Sequence, residues 1–295
     1  MIHLVTGGSG CGKSALAQDL TVSLSGGECC IYLATMKDEN AESRARIEKH
    51  RRMRSDQAFE TLELERGLEA VRERVRGRCV LLECMSNLLA NEMFTPEGVA
   101  KDPAAAVMKD IEALGSAREL VIVTGMADMG CDDRSGLTGA YLEELARINR
   151  ELFAMSRDVL WVMCGEGMYL KKGGRVKDAV IPSRGIVVIN GGHFEDERGY
   201  VSKKCGPLRP VLELEEWIRE HQGEDRERLK DSLSRLLDGE GDMVVLCRES
   251  GCGVVPLARE DREHIETVGE LRRIAAARAA AVIFLTCGVG IDVRS

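Results

Sequence analysis

Short apolar runs alternate with amphipathic stretches through the chain. Ile2–Thr6, Cys30–Ala34, Val80–Cys84 and Leu120–Thr124 are mostly aliphatic and five residues long. That is the pattern of strands buried on both faces. Lys13–Leu24, Ala41–Arg54, Leu64–Val75, Ala104–Ala113 and approximately Gly139–Met155 carry apolar residues at helical spacing, and a further helical stretch runs to Met93. Strands alternating with helices predict an α/β fold, a mostly parallel sheet flanked by helices. Ligands of such sheets bind at the carboxyl ends of the strands.

The pattern then repeats. Val121–Gly130 and Val159–Gly167 match Val244–Gly253 and Val282–Gly290 without a gap at an offset of 123 residues. Gly130/Gly253, Cys164/Cys287, Gly165/Gly288 and Gly167/Gly290 fall in register. His3-Leu-Val-Thr-Gly-Gly8 resembles Val187-Val-Ile-Asn-Gly-Gly192 at an offset of 184, so the second copy is shorter by 61 residues. The expected organisation is a tandem repeat: a P-loop NTPase-like domain over 1–172, a linker over 173–185 and a shorter α/β copy over 186–295. Lys171–Arg184, rich in Lys and Gly and containing Pro182, reads as the connecting segment. Val211–Glu220 reads as an amphipathic helix carrying Trp217; Trp161 falls in a strand.

Composition narrows the partners. The 295 residues hold 49 acidic and 41 basic side chains, a formal charge of −8. A chain with no overall cationic surplus is not expected to bind nucleic acid through its phosphates. No apolar run approaches the roughly 18 residues of a membrane span, and Met1-Ile2-His3 does not open a signal peptide, so the expectation is a cytoplasmic protein. The eleven cysteines are scattered with no CxxC pair, which suits buried thiols in a reducing compartment rather than a zinc site. His3, His193, His221 and His264 have no ligand spacing and read as surface or satisfied residues.

Chemistry concentrates near the start. Gly7-Gly8-Ser9-Gly10-Cys11-Gly12-Lys13-Ser14 fits G-x-x-x-x-G-K-[ST] between a strand and a helix opening. Its glycines let backbone N–H groups approach an anion, the helix N-terminus adds partial positive charge, Lys13 can reach β/γ-phosphates and Ser14 can ligand Mg²⁺. Glu83, ending an apolar strand, is the carboxylate expected to share that ion. Arg46, His50 and Arg54 lie at i, i+4 and i+8 on one helical face. The run is either a solvated cationic face or a neutral imidazole nucleophile beside guanidiniums that hold a triphosphate.

Taken together these residues resemble the bifunctional adenosylcobinamide kinase/adenosylcobinamide-phosphate guanylyltransferase family of cobalamin biosynthesis. The resemblance spans residues 1 to about 172. It is carried by the opening Leu-Val-Thr-Gly-Gly-x-x-x-Gly-Lys-Ser, Tyr32-Leu-Ala-Thr35, Arg46-Ile-x-x-His50-Arg51, Leu82-Glu83-Cys84 with Asn91, Ala146-Arg-Ile-Asn149 and Gly165-x-Gly167. It implies a P-loop domain, trimeric in known members, and two reactions. Adenosylcobinamide is phosphorylated by a nucleoside triphosphate, ATP or GTP. A histidine then takes GMP from GTP and passes it to the cobinamide phosphate. His50 matches the guanylylated histidine, with Lys13 catalytic beside it. By the same match Gly7 to Ser14, Ala34, Thr35, Met36, Arg51, Arg52, Met53, Arg54, Glu63 and Glu83 contact the nucleotide. The implied partners are the corrinoid, the nucleotides with Mg²⁺ and further copies of the chain.

Two departures stand out. Members carry Arg-Ser before Gly-Lys-Ser where this chain has Gly10-Cys11, and an Asn-Glu-x-Gly-x-Gly-x-Val-Pro stretch where it has Gly125–Asp133. That stretch survives instead in the second copy, as Arg248-Glu249-Ser-Gly-Cys-Gly253-Val-Val-Pro256. The second copy is therefore either a structural remnant that covers the sheet edge or an oligomer interface, or it complements the first copy's site through Glu249, and two copies per chain are expected to alter the assembly. The alternatives are an enzyme that kept one activity, or a nucleotide-binding regulatory or scaffold protein.

Overall fold

A computed structural model gives the fold and describes residues 1–8, 11–37, 44, 47–48, 59–95, 98–99, 101–126, 136–163, 165–191, 197–206, 209–221, 223–248, 259–286 and 288–294. These fall into two compact units, the first ending at Val176 and the second starting at Lys177.

In the first unit the main elements are β1 (Ile2–Gly7), α1 (Lys13–Ser25), β2 (Cys30–Ala34), β3 (Phe59–Glu63), β4 (Cys79–Glu83), α2 (Met85–Met93), α3 (Pro103–Ala113), β5 (Glu119–Val123), α4 (Gly136–Met155), β6 (Asp158–Met163), β7 (Glu166–Lys172) and β8 (Arg175–Val176). The sheet order is β8-β7-β6-β1-β5-β4-β2-β3. All pairings from β6 to β3 are parallel; β7 and β8 are antiparallel additions. The central strands bury both faces, as their unbroken apolar runs require: Leu33, Leu81, Leu82 and Ile122 have no exposed surface. Truncating any one of them to Ala costs about 2–5 kcal/mol. At the amino-terminal edge the buried His3 lies 2.9 Å from both Glu119 and Asp158, clamping β5 and β6 to β1.

Three sequence expectations need correction. Phe59–Glu63 is an edge strand, and the helix expected from Leu64 begins only at Leu68, as a single 3-10 turn ahead of Arg72–Val75. Leu64 N–H still donates to Ala34 O at 2.9 Å, extending the β2 pairing, and Gly67 at φ 70° then breaks the path. Within Lys171–Arg184, Lys171 and Lys172 end β7 and Arg175–Val176 form β8, turned by Gly173 and Gly174. Val211–Glu213 is a strand, and only Leu214–Glu220 is helical. There the neighbouring strand captures the backbone: Val244 N–H donates to Pro210 O at 2.8 Å. Pairing partners distant in sequence override a local helical pattern in these cases.

The second unit comprises β9 (Ile186–Gly191), α5 (Glu197–Cys205), β10 (Val211–Glu213), α6 (Leu214–Glu220), α7 (Arg226–Glu240), β11 (Val244–Arg248), α8 (Arg259–Arg278), β12 (Ala279–Thr286) and β13 (Val289–Asp292), in sheet order β10-β11-β9-β12-β13. Helices α6, α7 and α8 cover one face through Leu214, Leu233, Leu237 and Leu271. Its registers repeat those of the first unit. Val187 pairs with Val244 as His3 pairs with Val121. Val188 pairs with Val282 as Leu4 pairs with Val159. Phe284 pairs with Ile291 as Trp161 pairs with Met168. Each correspondence keeps the offset of 184 or 123 found in the sequence. The hairpin glycines also match: Gly167 abuts Leu16 and Leu160, and Gly290 abuts Tyr200 and Ile283.

Candidate active site

The phosphate-loop residues sit at the carboxyl end of β1, where the sheet opens to ligands. Two glycines are set there by close approach. A Cβ on Gly7 would lie 2.4 Å from Val162 O, and one on Gly12 (φ 98°) 3.1 Å from Gly165 Cα. Gly165 N–H also donates to Cys11 O at 2.8 Å, so the β6–β7 turn braces the loop from behind. Gly12 is the N-cap of α1 and supplies no side-chain cap, which leaves first-turn N–H groups for an anion. Lys13 Nζ donates to Gly8 O at 2.5 Å, holding the ammonium over the loop.

α1 lies across β5 and β4, and this brings Ser14 to the end of β4. The Ser14 hydroxyl donates to Glu83 Oε1, and the Tyr32 hydroxyl donates to Glu83 Oε2 at 2.5 Å. Glu83 is 8% exposed. A serine that gives its proton to a carboxylate turns its lone pairs outward, toward a cation or a bound water. Hydroxyl and carboxylate oxygens suit a hard divalent cation that arrives with phosphates, the Mg²⁺ type of site. Among the described residues no group of three or more His, Cys, Asp or Glu side chains gathers as a self-sufficient metal cage.

The neighbouring strand ends are held by polar clamps. Thr35 N–H donates to Glu83 O at 3.1 Å, and the Asn91 amide donates to Thr35 O and Glu65 O, both at 2.8 Å. Thr124 Oγ1 donates to Asn149 Oδ1 at 2.7 Å, while Asn149 Nδ2 donates to Gly125 O at 2.9 Å. Tyr141 donates to Ser86 O at 3.0 Å, and burial pushes its phenol up to about 12. Burial also raises the Cys84 thiol, which stays protonated at neutral pH and is no nucleophile there.

Gly7, Gly8, Cys11, Gly12, Lys13, Ser14 and Glu83 come together at one end of the sheet, and Ala34, Thr35 and Met36 follow at the end of β2. Glu63 ends β3 opposite Ala34. It is two strands from Glu83, about 10 Å by sheet spacing. Ser9, Gly10, Arg46, His50, Arg51, Arg52, Met53, Arg54 and Glu249 lie outside the described residues. Tyr32, Asn91, Asn149 and Gly165 entered the sequence reading only as carriers of the resemblance, with no contact or role assigned to them or to Thr124. The available signal was a polar residue in an otherwise apolar segment: Asn91 and Asn149 are buried on helices, and Tyr32 is buried in β2.

Among the described residues no helix is long and apolar enough to cross a membrane. Residues 3–170 match the family model described as cobinamide kinase / cobinamide phosphate guanyltransferase. The bifunctional adenosylcobalamin biosynthesis protein CobU of Escherichia coli (strain K12) is 31% identical over 186 residues, covering 58% of this chain and 100% of that protein. The bifunctional adenosylcobalamin biosynthesis protein CobP of Pseudomonas aeruginosa (strain PAO1) is 27% identical over 174 residues, covering 58% of this chain and 98% of that protein. The KaiC-like protein PH0186 of Pyrococcus horikoshii OT3 is 12% identical with a TM-score of 0.31, covering 54% of this chain and 69% of that one. With the family model matched over more than half of its length, and a strand–loop–helix phosphate site at the start of the match, the chain belongs to the cobinamide kinase / cobinamide phosphate guanyltransferase family.

Proposed function

We propose that the first unit phosphorylates adenosylcobinamide with a nucleoside triphosphate and then transfers GMP from GTP to adenosylcobinamide phosphate, giving adenosyl-GDP-cobinamide. The convergence of Lys13, Ser14 and the Ser14–Glu83 hydrogen bond at the carboxyl ends of β1 and β4 carries this reading, since an ammonium, a hydroxyl and a carboxylate side by side suit a triphosphate with its cation. Both relatives are named as bifunctional adenosylcobalamin biosynthesis proteins. Lys13 and the α1 N-terminus hold the phosphates. Ser14 and Glu83 would hold Mg²⁺, which when bound neutralises charge developing on the phosphate oxygens.

His50 is the nucleophile of the second reaction. Its imidazole attacks the α-phosphorus, the bond to the bridging oxygen breaks and pyrophosphate leaves. The phosphate oxygen of adenosylcobinamide phosphate then displaces imidazole from the GMP-histidine. Splitting the transfer in two needs a nucleophile that is also a good leaving group, which imidazole is. Incubation with [α-³²P]GTP should give a covalent label that His50→Ala loses and that adenosylcobinamide phosphate discharges. Product phosphate without any label would leave a kinase alone. Tight GTP binding with no product would favour the scaffold reading.

The second unit is a shortened copy that has lost the nucleotide chemistry. The shared registers and offsets support this, and so do its charges. Glu197, at the offset of Lys13, opens α5, and the next residue, Arg198, pairs with Glu213 of β10. Glu213 ends β10 beside β11 as Glu83 ends β4 beside β5. A carboxylate in the lysine position repels a triphosphate, so one nucleotide per chain is expected.

A further inference from the structure

The proposed reactions use Glu83 but leave unexplained the tyrosine buried beside it. Tyr32 is 3% exposed in β2 and its ring meets Phe59 edge-on, with centroids 6.0 Å apart. A phenol in such a place needs an acceptor. It donates to Glu83 Oε2 at 2.5 Å, while Ser14 donates to Oε1. The two carboxylate oxygens are thus shared between a strand on one side and the phosphate-loop helix on the other. Parallel pairing fixes the partner strand, with Tyr32 opposite Leu81 and Ala34 opposite Glu83. The alternative rotamers of an unclamped glutamate would release Ser14 from its acceptor.

We propose that Tyr32 is a positioning residue: its hydroxyl anchors one oxygen of Glu83 so that the other orients Ser14 toward the divalent cation carried by the nucleotide. This rests on the assignment of Ser14 and Glu83 to that cation. Groups that orient metal ligands from behind typically govern 10- to 100-fold in metal affinity. The second unit offers a contrast: among the described residues β10 is the edge of its sheet, with no strand in the place of β2, and Glu213 pairs with Arg198.

The test compares the full chain with its Tyr32→Phe variant, which keeps the ring and its contact with Phe59. Mn²⁺ affinity is read by electron paramagnetic resonance with a GTP analogue whose α–β bridge is a methylene, and metal-free analogue affinity by calorimetry. Tyr32→Phe should weaken Mn²⁺ binding about tenfold while leaving metal-free affinity nearly unchanged. In a Glu83→Gln background it should add no further loss, because the hydroxyl acts only through that carboxylate. Unchanged Mn²⁺ affinity in Tyr32→Phe, or an equal added loss in the Glu83→Gln background, overturns the role of Tyr32 alone. A wild-type chain that binds the analogue but takes up no Mn²⁺ with it overturns the assignment of Ser14 and Glu83, and the proposal with it.

Discussion

Where the first unit opens its helix with Lys13 and Ser14, the second opens α5 with Glu197 and Arg198 at the same distance from the end of its leading strand. Around these positions the two units agree in strand order, in register and in the glycine that lets the β6–β7 or β12–β13 hairpin approach the helix. They differ where charge meets the ligand face. In the first unit a hydroxyl and a phenol share Glu83; in the second a guanidinium binds Glu213 and another, Arg272, binds Glu215 at 3.0 Å. Architecture rests on many apolar contacts, each replaceable by something of similar volume. Phosphate chemistry rests on a few charges whose reversal removes it outright. A shared sheet register can therefore persist where the charges that phosphate chemistry needs are absent.

The strongest way to break this contrast is Lys13→Ala. It should weaken GTP binding by the whole chain about 100-fold or more, from the loss of a charge-assisted phosphate contact. Calorimetry that still finds one tight nucleotide would place it on the second unit.

Gly12→Ala should come next. The added Cβ meets Gly165 Cα at 3.1 Å and a left-handed φ of 98°. About 1–3 kcal/mol of local strain is expected, read as a roughly tenfold or greater loss of nucleotide affinity. Gly241→Ala, with φ 68° and nothing within 4 Å of its Cβ, should leave nucleotide affinity unchanged.

The third concerns pH. Burial, followed by the nearby Glu215, pushes the Cys247 thiol from 9.0 up to about 12. A thiol whose folded value is raised lends stability that is complete below pH 9 and is lost as pH rises toward 12, because the unfolded chain ionises first. Denaturant titrations at pH 8, 9, 10 and 11 should show that decline (roughly the range over which an ordinary thiol ionises), and Cys247→Ala should flatten it. An unchanged slope in that variant would assign the decline to other groups.

The smallest effect is expected from Arg198→Ala. Its side chain is 74% exposed, so the pair with Glu213 is worth at most about 1 kcal/mol. A shift in the thermal midpoint of more than a few degrees would show that the ion pair supports the second unit's fold.

Much of this was legible in the chain. The strands β1, β2, β4 and β5 announced themselves because burial on both faces demands unbroken apolar runs. The repeat was visible because register is carried by those runs and by spaced glycines. The phosphate loop was legible because its backbone geometry needs Gly in a fixed pattern. Phe59–Glu63 was not, since an edge strand with exposed Glu63 carries no such run. Val211–Glu213 was not, since three residues are too few to show a period. The clamps of Asn91 and Asn149 were hidden because nothing local says which distant carbonyl an amide will meet.

By itself the sequence determined the α/β class, the duplicated pattern and the anion-binding loop, all of which follow from local spacing of apolar residues and glycines. Only the tertiary structure decided that Ser14 and Tyr32 meet on one carboxylate 51 residues beyond the tyrosine. It also decided that Gly165 stands behind the loop and that Arg198 faces Glu213. These contacts depend on strand order and on how a helix crosses the sheet, and that order is set by the packing of the whole core rather than by any local segment.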